Sequence, residues 1–491
     1  MIRIEHVVPT QSEASGHLSS AADEGLSAHA IPSKEQIHSH FIAGTMPTSL
    51  AELFWTRIAR KQTRGLDRLS PKQFADQHLN HLVDITSALH NGQYRFTPYH
   101  ELLRLKGAGK LPRQIAIPTV RDRLALQAMR ESLHFAFPER VPRRLPNEIV
   151  HNLVGQELAT PGLSFVKMDI KSFYDTVPHA QLLEAIVGRC PQPLAKLVER
   201  SIRNPALHTA HLDRGRKRLR PMGRGIPQGL PVSNILAEVY LAPLDNVARA
   251  LPIEYIRYVD DILLVGERGQ VNDAEGVVRS VLNAQGLEVS EEKTKRGHLS
   301  GECDYLGYRL ALPLVTVRTS SEERLVASLA ADFAGFRHDS TAKTRPEWLS
   351  DTLRMNVFLD ELNERITGAV SENRRYGWLF YYSEANDIAL FKRLDRIIHR
   401  LWTRYIGGHP PDALKSFVVA HFETKHRPQG GYVHDYNRYS TTKSQLAFLV
   451  RAGVLNQSSP AKLTDLQVRQ LFEEHKGRRL RRLELDVGRM S

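Results

Sequence analysis

The stretch YIRYVDDILLV, at residues 255–265, decides the fold prediction. Two apolar runs flank the adjacent carboxylates Asp260 and Asp261, which is the pattern of a β-hairpin with acids at its turn. A second strand-like run, FVKMDI at residues 165–170, carries Asp169 near its end. A carboxylate beside a buried strand is unfavourable unless a counter-charge compensates it. Three such acids brought together therefore predict a site for divalent cations.

Each of these acids alone is more simply interpreted as a surface salt-bridge partner at a strand end. That interpretation fails for the set, because all three adjoin apolar strands. Mg²⁺ prefers hard oxygen ligands. Two such ions, about 3.5–4 Å apart, can activate a primer 3′-hydroxyl and stabilise leaving pyrophosphate. The acids alone are compatible with any metal-dependent phosphoryl transfer, of which nucleotide addition to a primer is one.

Composition agrees with a partner of negative charge. The chain has 491 residues, with 67 Lys and Arg against 54 Asp and Glu, and a net charge of +13. This excess favours nucleic acid as the partner. No run of 18 apolar residues and no secretory signal occur, so we expect no membrane span and a cytoplasmic location. The two cysteines, Cys190 and Cys303, form no CxxC pair and predict reduced thiols.

The length predicts about three domains or subdomains. Residues 1 to about 40 show little periodicity and read as an extension, partly disordered or packed on another subunit. Residues 50–90 are helical in pattern, and residues 94–118 predict two strands joined by a basic loop. From residue 311 to about 405 the pattern is again helical. The break at residues 407–411, GGHPP, then marks a boundary.

Six ordered blocks resemble the motifs of bacterial reverse transcriptases, including those of group II introns. They cover roughly residues 60 to 310. They are LLRLKGAGKLPRQIAIPTVRDRLALQAM (102–129, fingers), FVKMDIKSFYDTVPH (165–179, motif A), GRGIPQGLPVSNILAEVYL (223–241, motif B), YIRYVDDILLV (motif C), GLEVSEEKTKRG (286–297, motif D) and DYLGYRL (304–310, motif E).

The resemblance implies an α+β right-hand polymerase, with fingers, an antiparallel palm sheet and a helical thumb. The expected divisions are an N-terminal extension (1–45), fingers (46–160), the palm with the catalytic motifs (161–310), a helical thumb (311–408) and a C-terminal extension (409–491).

The resemblance also assigns the catalytic roles. Asp169 and Asp260 are expected to bind two Mg²⁺ ions, for which Mn²⁺ can substitute, with Asp261 as a third, supporting acid. The backbone carbonyl of Ile170 is expected as a further metal ligand. Lys293 matches the motif D lysine proposed to protonate pyrophosphate, with Lys295 as the alternative in the same block.

Nucleotide binding is expected at Ile170, which is also an expected metal ligand, and at four further positions. Tyr174 lies five residues after Asp169 and matches the steric gate that clashes with a ribose 2′-hydroxyl; simple core packing is the alternative, which we assign to its neighbour Phe173. Gln228, in the motif B turn, is expected against the nucleotide or its sugar. Cations on the fingers loop can clamp a triphosphate. These are Lys106 and Arg113, with Lys110 a weaker candidate that could equally be a solvated surface lysine.

Contacts with template or primer are expected at six residues. Arg121 and Arg123 open a fingers helix, and Arg216 and Lys217 belong to a basic run at residues 213–225 that could equally be a solvated loop. Tyr305 and Gly307 match the primer-grip hairpin of motif E.

Leu230-Pro231 departs from the group II intron pattern, and no RNase H, HNH endonuclease or integrase pattern is found. The chain resembles more closely the stand-alone bacterial enzymes implicated in antiphage defence. This implies dNTPs as substrates, a noncoding RNA as template and a DNA product, and is compatible with a homo-oligomer. The alternatives are an intron-type maturase or RNA-binding protein, and an RNA-templated RNA polymerase. The last is disfavoured because Val259 precedes the acids and Tyr174 blocks ribose.

Overall fold

The computed structural model describes nine stretches of the chain. They are residues 31–59, 63–76, 78–105, 112–141, 145–208, 223–339, 348–427, 430–456 and 463–488. Four predicted site residues, together with most of the N-terminal extension, therefore lie outside the described residues. The four are Lys106, Lys110, Arg216 and Lys217.

The region predicted as fingers is a group of helices around a β-hairpin. Its elements are α1 (Lys34–Gly44), α2 (Pro47–Leu53), α3 (Pro71–Asp76), α4 (His78–His90), β1 (Tyr99–Arg104), β2 (Arg113–Ile117), α5 (Val120–Ala136) and α6 (Pro146–Ala159). β1 and β2 pair antiparallel, as predicted. Thr119 begins α5, because its hydroxyl accepts a hydrogen bond from the Asp122 N–H at 3.1 Å.

Helix α1 lies inside the segment predicted as an N-terminal extension, but it is packed against the rest of the chain. Its residues Ile37 and Phe41 are fully buried, and α1 packs against α5. The packed fingers therefore begin by residue 34, inside the segment 1–45 that the sequence suggested was an extension. The pattern was weak because only two of the eleven residues of α1 are buried.

The palm region holds the central sheet. Its elements are β3 (Ser164–Asp169), α7 (Phe173–Thr176), α8 (His179–Arg189), α9 (Gln192–Arg203), β4 (Ala206–Leu207), α10 (Ser233–Tyr240), α11 (Ala242–Ala248), β5 (Glu254–Tyr258), β6 (Asp261–Gly266), α12 (Arg268–Ala284) and β7 (Lys295–His298). The four-stranded sheet has the order β5-β6-β3-β7, with each neighbouring pair antiparallel. The short β4 pairs instead with β1.

Both faces of this sheet are covered. Val166, Met168 and Leu264 point into a core shared with the palm helices and the fingers. Phe165 and Leu263 point the other way, into a core shared with the region after the palm. Since side chains alternate along a strand, the odd-numbered residues of β3, which are Phe165, Lys167 and Asp169, lie on this second face.

The rest of the chain is mainly helical. Its elements are β8 (Cys303–Tyr305), β9 (Tyr308–Ala311), β10 (Leu314–Val317), α13 (Thr319–Asp339), α14 (Asp351–Thr367), β11 (Ala369–Ser371), β12 (Arg374–Tyr376), α15 (Trp378–Tyr381), α16 (Ile388–Tyr405), α17 (Phe417–His426), β13 (His434–Asp435), α18 (Thr442–Arg451) and α19 (Asp465–Val487). The prediction of helix from residue 311 onward missed β10 and the β11–β12 hairpin. These strands have only three or four residues each, too few to show alternation.

The core does not stop at the predicted boundary near residue 408. Phe417 and Ala420 of α17 share one apolar core with Ile398 and Trp402 of α16. A separate cluster then joins α18 and α19 through Phe448 and Phe472. The GGHPP break thus ends a helix without ending the packed unit.

The two cysteines of the chain lie in the core. Cys190 and Cys303 are buried and unpaired, and burial raises the pKa of each thiol to about 12. Both are therefore protonated and unreactive, as predicted for reduced thiols.

Across the described stretches, none of the helices has the length and apolarity that crossing a bilayer requires.

Arg365 of α14 ties the C-terminal helix to the preceding helices, and its loss should be costly. Its side chain is 2% exposed, and its Nε donates to Asp486 of α19 at 2.9 Å; Asp332 of α13 is a second partner. Arg365→Met should lower the free energy of unfolding by about 3–5 kcal/mol, because Asp486 remains as an uncompensated buried charge. Urea unfolding measures the change.

The matched control is Arg393→Met. Arg393 pairs with Glu322, but its side chain is 46% exposed. Its removal should change the free energy of unfolding by less than about 1 kcal/mol. Equal effects of the two variants would show that burial of the Arg365 pair does not hold α19 in place.

Candidate active site

The strand register brings the three predicted acids together. Asp169, the last residue of β3, lies directly opposite Asp261, the first residue of β6. Asp260 occupies the two-residue turn between β5 and β6. The Ile170 N–H donates to the Asp260 carbonyl oxygen at 3.3 Å, so the turn is tied to the end of β3.

The turn that carries Asp260 is conformationally strained. Val259 has a φ of +57°, in the left-handed region that β-branched residues rarely occupy. Such a conformation costs about 1–3 kcal/mol and persists only where the surroundings impose it. The surroundings here include Arg257, whose Nη1 donates to the Val259 carbonyl oxygen at 3.0 Å.

Arg257 belongs to a buried ion cluster beneath the turn. Its side chain is 5% exposed, and its Nη2 lies 2.6 Å from Glu238 of α10 and 2.7 Å from Asp245 of α11. The Tyr255 hydroxyl also donates to Asp245, at 2.9 Å. Sequence reasoning missed this cluster, although an arginine inside an apolar strand was a signal that it has buried partners.

Burial raises the pKa of Asp260 to about 6, and the charges of Asp169 and Asp261 act in the same direction. Burial also raises the pKa of Asp261, while Lys167 opposes the shift. The ionised acids therefore repel one another in a poorly solvated place. This is the electrostatic condition in which a cation binds favourably.

Two lysines provide positive charge in the structure. The Lys293 Nζ lies 2.6 Å from Asp169 Oδ2, and the Lys167 Nζ lies 3.4 Å from Asp261 Oδ1. Lys167 also donates to the Asp304 carbonyl oxygen at 2.8 Å, and this second contact fixes the position of its Nζ. The structure thus places Lys293 beside the acids, and its role toward pyrophosphate stays a prediction. Lys167 was missed, although it stands two residues before Asp169 and must share its face of the sheet.

The acids suit a metal ion that the substrate helps to bind. Within the described stretches, no three His, Cys, Asp or Glu side chains lie close enough to hold a metal ion by themselves. Mg²⁺ is commonly held by one or two carboxylates together with substrate phosphates. Asp169 and Asp260 would supply the hard oxygen donors for that arrangement, and the carbonyl of Ile170 is the expected further ligand. Asp261 is paired with Lys167, and its expected supporting role stays a prediction.

Tyr174 lies beside the acids. Burial raises its pKa, and the nearby charges of Asp260 and Glu238 act in the same direction. Its hydroxyl donates to Asn234 Oδ1 at 3.1 Å. By contrast, Phe173 is 1% exposed and belongs to the core, which confirms the packing role predicted for it.

The motif B turn locks the backbone around Tyr174. The Ile226 N–H donates to the Tyr174 carbonyl oxygen at 2.6 Å. Gly225 has a φ of +93°, and a Cβ there would lie only 3.2 Å from the same oxygen. The turn requires glycine at this position both for its conformation and for the close approach.

The same turn docks onto the fingers strand β2. The Gln228 carbonyl oxygen accepts from the Ala116 N–H at 2.7 Å. A Cβ on Gly229 would lie 2.9 Å from the Ala116 carbonyl oxygen. Arg113, at the start of β2, is close enough to Tyr174 to lower its pKa against the effect of burial. Its side chain is partly exposed, so the guanidinium lies beside Tyr174 without being enclosed in the core.

Two predicted contacts with nucleic acid are wrong. Arg123 is 5% exposed and donates to the Pro118 carbonyl oxygen at 3.2 Å and to the Thr63 carbonyl oxygen at 3.3 Å. Tyr305 is fully buried, below Lys167, with its ring centroid 5.6 Å from the lysine Nζ. Both side chains stabilise the fold and are screened from a template.

Two other positions stay predictions. Arg121 lies over the Tyr94 ring, with its Cζ 4.8 Å from the centroid, and is partly exposed. Gly307 forms the β8–β9 turn with a φ of +83°, and a Cβ there would lie 2.6 Å from the Tyr382 hydroxyl. The turn therefore packs on the thumb, which explains the glycine without recourse to a primer.

Comparison with known proteins identifies the domain. Residues 105–310 match the family described as reverse transcriptase (RNA-dependent DNA polymerase). Protein YkfC of Escherichia coli strain K12 is 25% identical over 319 residues, covering 54% of this chain and 81% of that protein. Together with the antiparallel palm sheet, the match confirms the predicted α+β right-hand polymerase.

Two further similarities are to a protein matched over a shorter segment and to a solved structure. An uncharacterized 91 kDa protein in the cob intron of Schizosaccharomyces pombe is 26% identical over 200 residues, covering 38% of this chain but only 23% of the relative. Telomerase from Candida albicans, solved with the TWJ fragment of telomeric RNA, aligns with 86% of this chain and 69% of its own. The alignment has 12% identity and a TM-score of 0.42.

The raised pKa of Asp260 predicts a stability gain on its replacement. Without metal, its folded-state pKa of about 6 exceeds the unfolded value of about 3.9, so stability is lost as pH rises through this interval. In EDTA at pH 8, Asp260→Asn should therefore raise the free energy of unfolding by about 1–3 kcal/mol. At pH 4 the gain should vanish.

The control is Asp273→Asn, on the exposed face of α12, which should show no such pH-dependent difference. Denaturant unfolding at both pH values measures all three proteins. A gain for Asp260→Asn that is equal at pH 4 and pH 8, or a loss at pH 8, would refute the proposed electrostatic penalty.

Proposed function

Because residues 105–310 match the reverse transcriptase family, we propose that the protein is an RNA-directed DNA polymerase that adds dNTPs to a primer with two Mg²⁺ ions. The observation that carries the proposal is the Asp169–Asp261 register, which sets Asp260 at the adjacent turn. The nearby Tyr174 and Arg113 supply what a nucleotide site requires, a wall for the sugar and a cation for the phosphates.

Asp169 and Asp260 would hold the ions, which would supply the positive charge that favours deprotonation of the primer 3′-hydroxyl and departure of pyrophosphate. Arg113 binds the triphosphate through its guanidinium. Lys293, which pairs with Asp169 in this structure, transfers its hydrogen bond to the pyrophosphate and donates a proton there. Lys167 keeps Asp261 in place throughout.

Tyr174 favours dNTPs over NTPs. Its ring stands beside the acids, where the sugar of an incoming nucleotide must lie, and the motif B turn fixes its backbone. A bulky ring in that place collides with a 2′-hydroxyl. This argues against the alternative of an RNA-templated RNA polymerase, which must accept that hydroxyl.

For the biological role we favour bacterial antiphage defence in the cytoplasm, with a noncoding RNA as template. Support comes from the resemblance to stand-alone defence-associated enzymes, from the absence of RNase H, endonuclease and integrase patterns, and from the net charge of +13. A maturase or RNA-binding role is the second candidate, since one relative is a protein of the cob intron.

Primer extension on an RNA template tests the chemistry. The wild type should extend with dNTPs in the presence of Mg²⁺, and Asp260→Ala should reduce the rate by at least about 100-fold. Tyr174→Ala should narrow the preference for dNTPs over NTPs by about 10-fold or more. Extension by Asp260→Ala at the wild-type rate, or a wild type that prefers NTPs, would contradict the proposal.

Sequencing of the nucleic acid that co-purifies with the protein tests the role. One noncoding RNA should be enriched, together with DNA complementary to it. Asp260→Ala should retain the RNA and lose the DNA, because binding to the phosphate backbone does not require the acids. Recovery of unselected cellular RNA would refute the dedicated template, and enrichment of intron RNA would favour the maturase role.

A further inference from the structure

Helix α10 presents two side chains that are not buried. They are Asn234 and Glu238, and the other six residues of the helix are buried. Residues four apart on a helix lie on one face, with their Cβ atoms about 5–6 Å apart. This short face borders the active site, because each of its two residues bonds to a part of that site.

Asn234 fixes the position of Tyr174, the proposed steric gate. The Tyr174 hydroxyl donates to its Oδ1 at 3.1 Å, while the backbone of Tyr174 is fixed by the motif B turn. The hydrogen bond to Asn234 therefore anchors the far end of the ring. A side chain that excludes a single hydroxyl group must hold its position closely, since a shift of about 1 Å at such a site changes rates by about 100-fold.

Glu238 supports the turn at residues 259–260, called the catalytic turn here because it carries Asp260. It accepts from the Nη2 of Arg257 at 2.6 Å, and Arg257 in turn donates to the strained Val259 carbonyl. Because Asp260 follows Val259 directly, this chain of contacts ends at a metal-binding acid. One rigid turn of helix thus supports both the gate and the turn that carries Asp260.

We propose that Asn234 is a specificity-determining residue, which positions the Tyr174 ring against the sugar of the incoming nucleotide. Through Glu238 and Arg257, the same helix face keeps the ring at a fixed spacing from the catalytic turn. The inference rests on the proposed function, in which Tyr174 selects dNTPs. Asn234 acts here through Tyr174 and not by contact with the substrate.

A double-mutant cycle tests this role. Asn234→Ala and Tyr174→Phe remove the same hydrogen bond from opposite sides, and Tyr174→Phe keeps the ring. Each should lower the ratio of kcat/KM for dNTP over NTP by about three- to tenfold, and the double variant should lower it no further. Additive effects would overturn the inference, because Asn234 would then act on the substrate itself.

Two controls separate this inference from other failures. Asn283→Ala, at an exposed position of α12, should leave the ratio unchanged. Tyr174→Ala tests the gate itself. If Tyr174→Ala leaves the ratio unchanged, the gate of the proposed function fails. If Tyr174→Ala lowers the ratio while Asn234→Ala and Tyr174→Phe leave it unchanged, only the present inference fails.

The Mg²⁺ dependence distinguishes positioning of the ring from a general loosening of the site. Glu238→Gln weakens the support of the catalytic turn and should raise the Mg²⁺ concentration needed for half-maximal rate by about 10-fold or more. Asn234→Ala should change that concentration by less than about twofold, because its bond is to the gate. An equal rise in both variants would overturn the specific role of Asn234.

Discussion

The repulsion among three carboxylates is the constraint on which the site depends. Pairing of β3 with β6 sets Asp169 directly opposite Asp261, and the tight turn adds Asp260. A slip of one residue in the register would move a whole strand's side chains to the opposite face, so the acids meet only in this register. Lys293 and Lys167 relieve part of the repulsion in this structure, and bound cations would relieve the rest.

The surrounding structure serves to hold strained or like-charged groups in place. Arg257, joined to Glu238 and Asp245, donates a hydrogen bond to the carbonyl oxygen of Val259, which has a left-handed conformation. On the other side, the motif B turn binds both the Tyr174 backbone and the fingers strand β2. The motif B turn therefore joins the palm to the fingers strand beside the acids, so Tyr174 and Arg113, the proposed gate and the proposed phosphate-binding cation, share one support.

The sequence was most informative where a polar residue interrupts an apolar pattern. Asp169 and the Asp260–Asp261 pair stood out for this reason, and the structure brings them together. The same reasoning applied to Lys167 and Arg257 would have found two further residues of the site. Arg123 could not be judged in this way, because a basic residue in the first turn of a helix has the same pattern whether it faces solvent or, as here, backbone carbonyls. Strands of three residues such as β11 also lack a detectable period.

We propose that Asp169 and Asp260 hold two metal ions together with a bound dNTP. A crystal structure of the protein with primer, template, a non-reactive dNTP and Mn²⁺, measured with anomalous scattering, tests this arrangement. We expect two Mn²⁺ peaks about 3.5–4 Å apart, both within bonding distance of these two acids, with Lys293 displaced from Asp169. Mn²⁺ bound elsewhere while Lys293 still pairs with Asp169 would refute the arrangement.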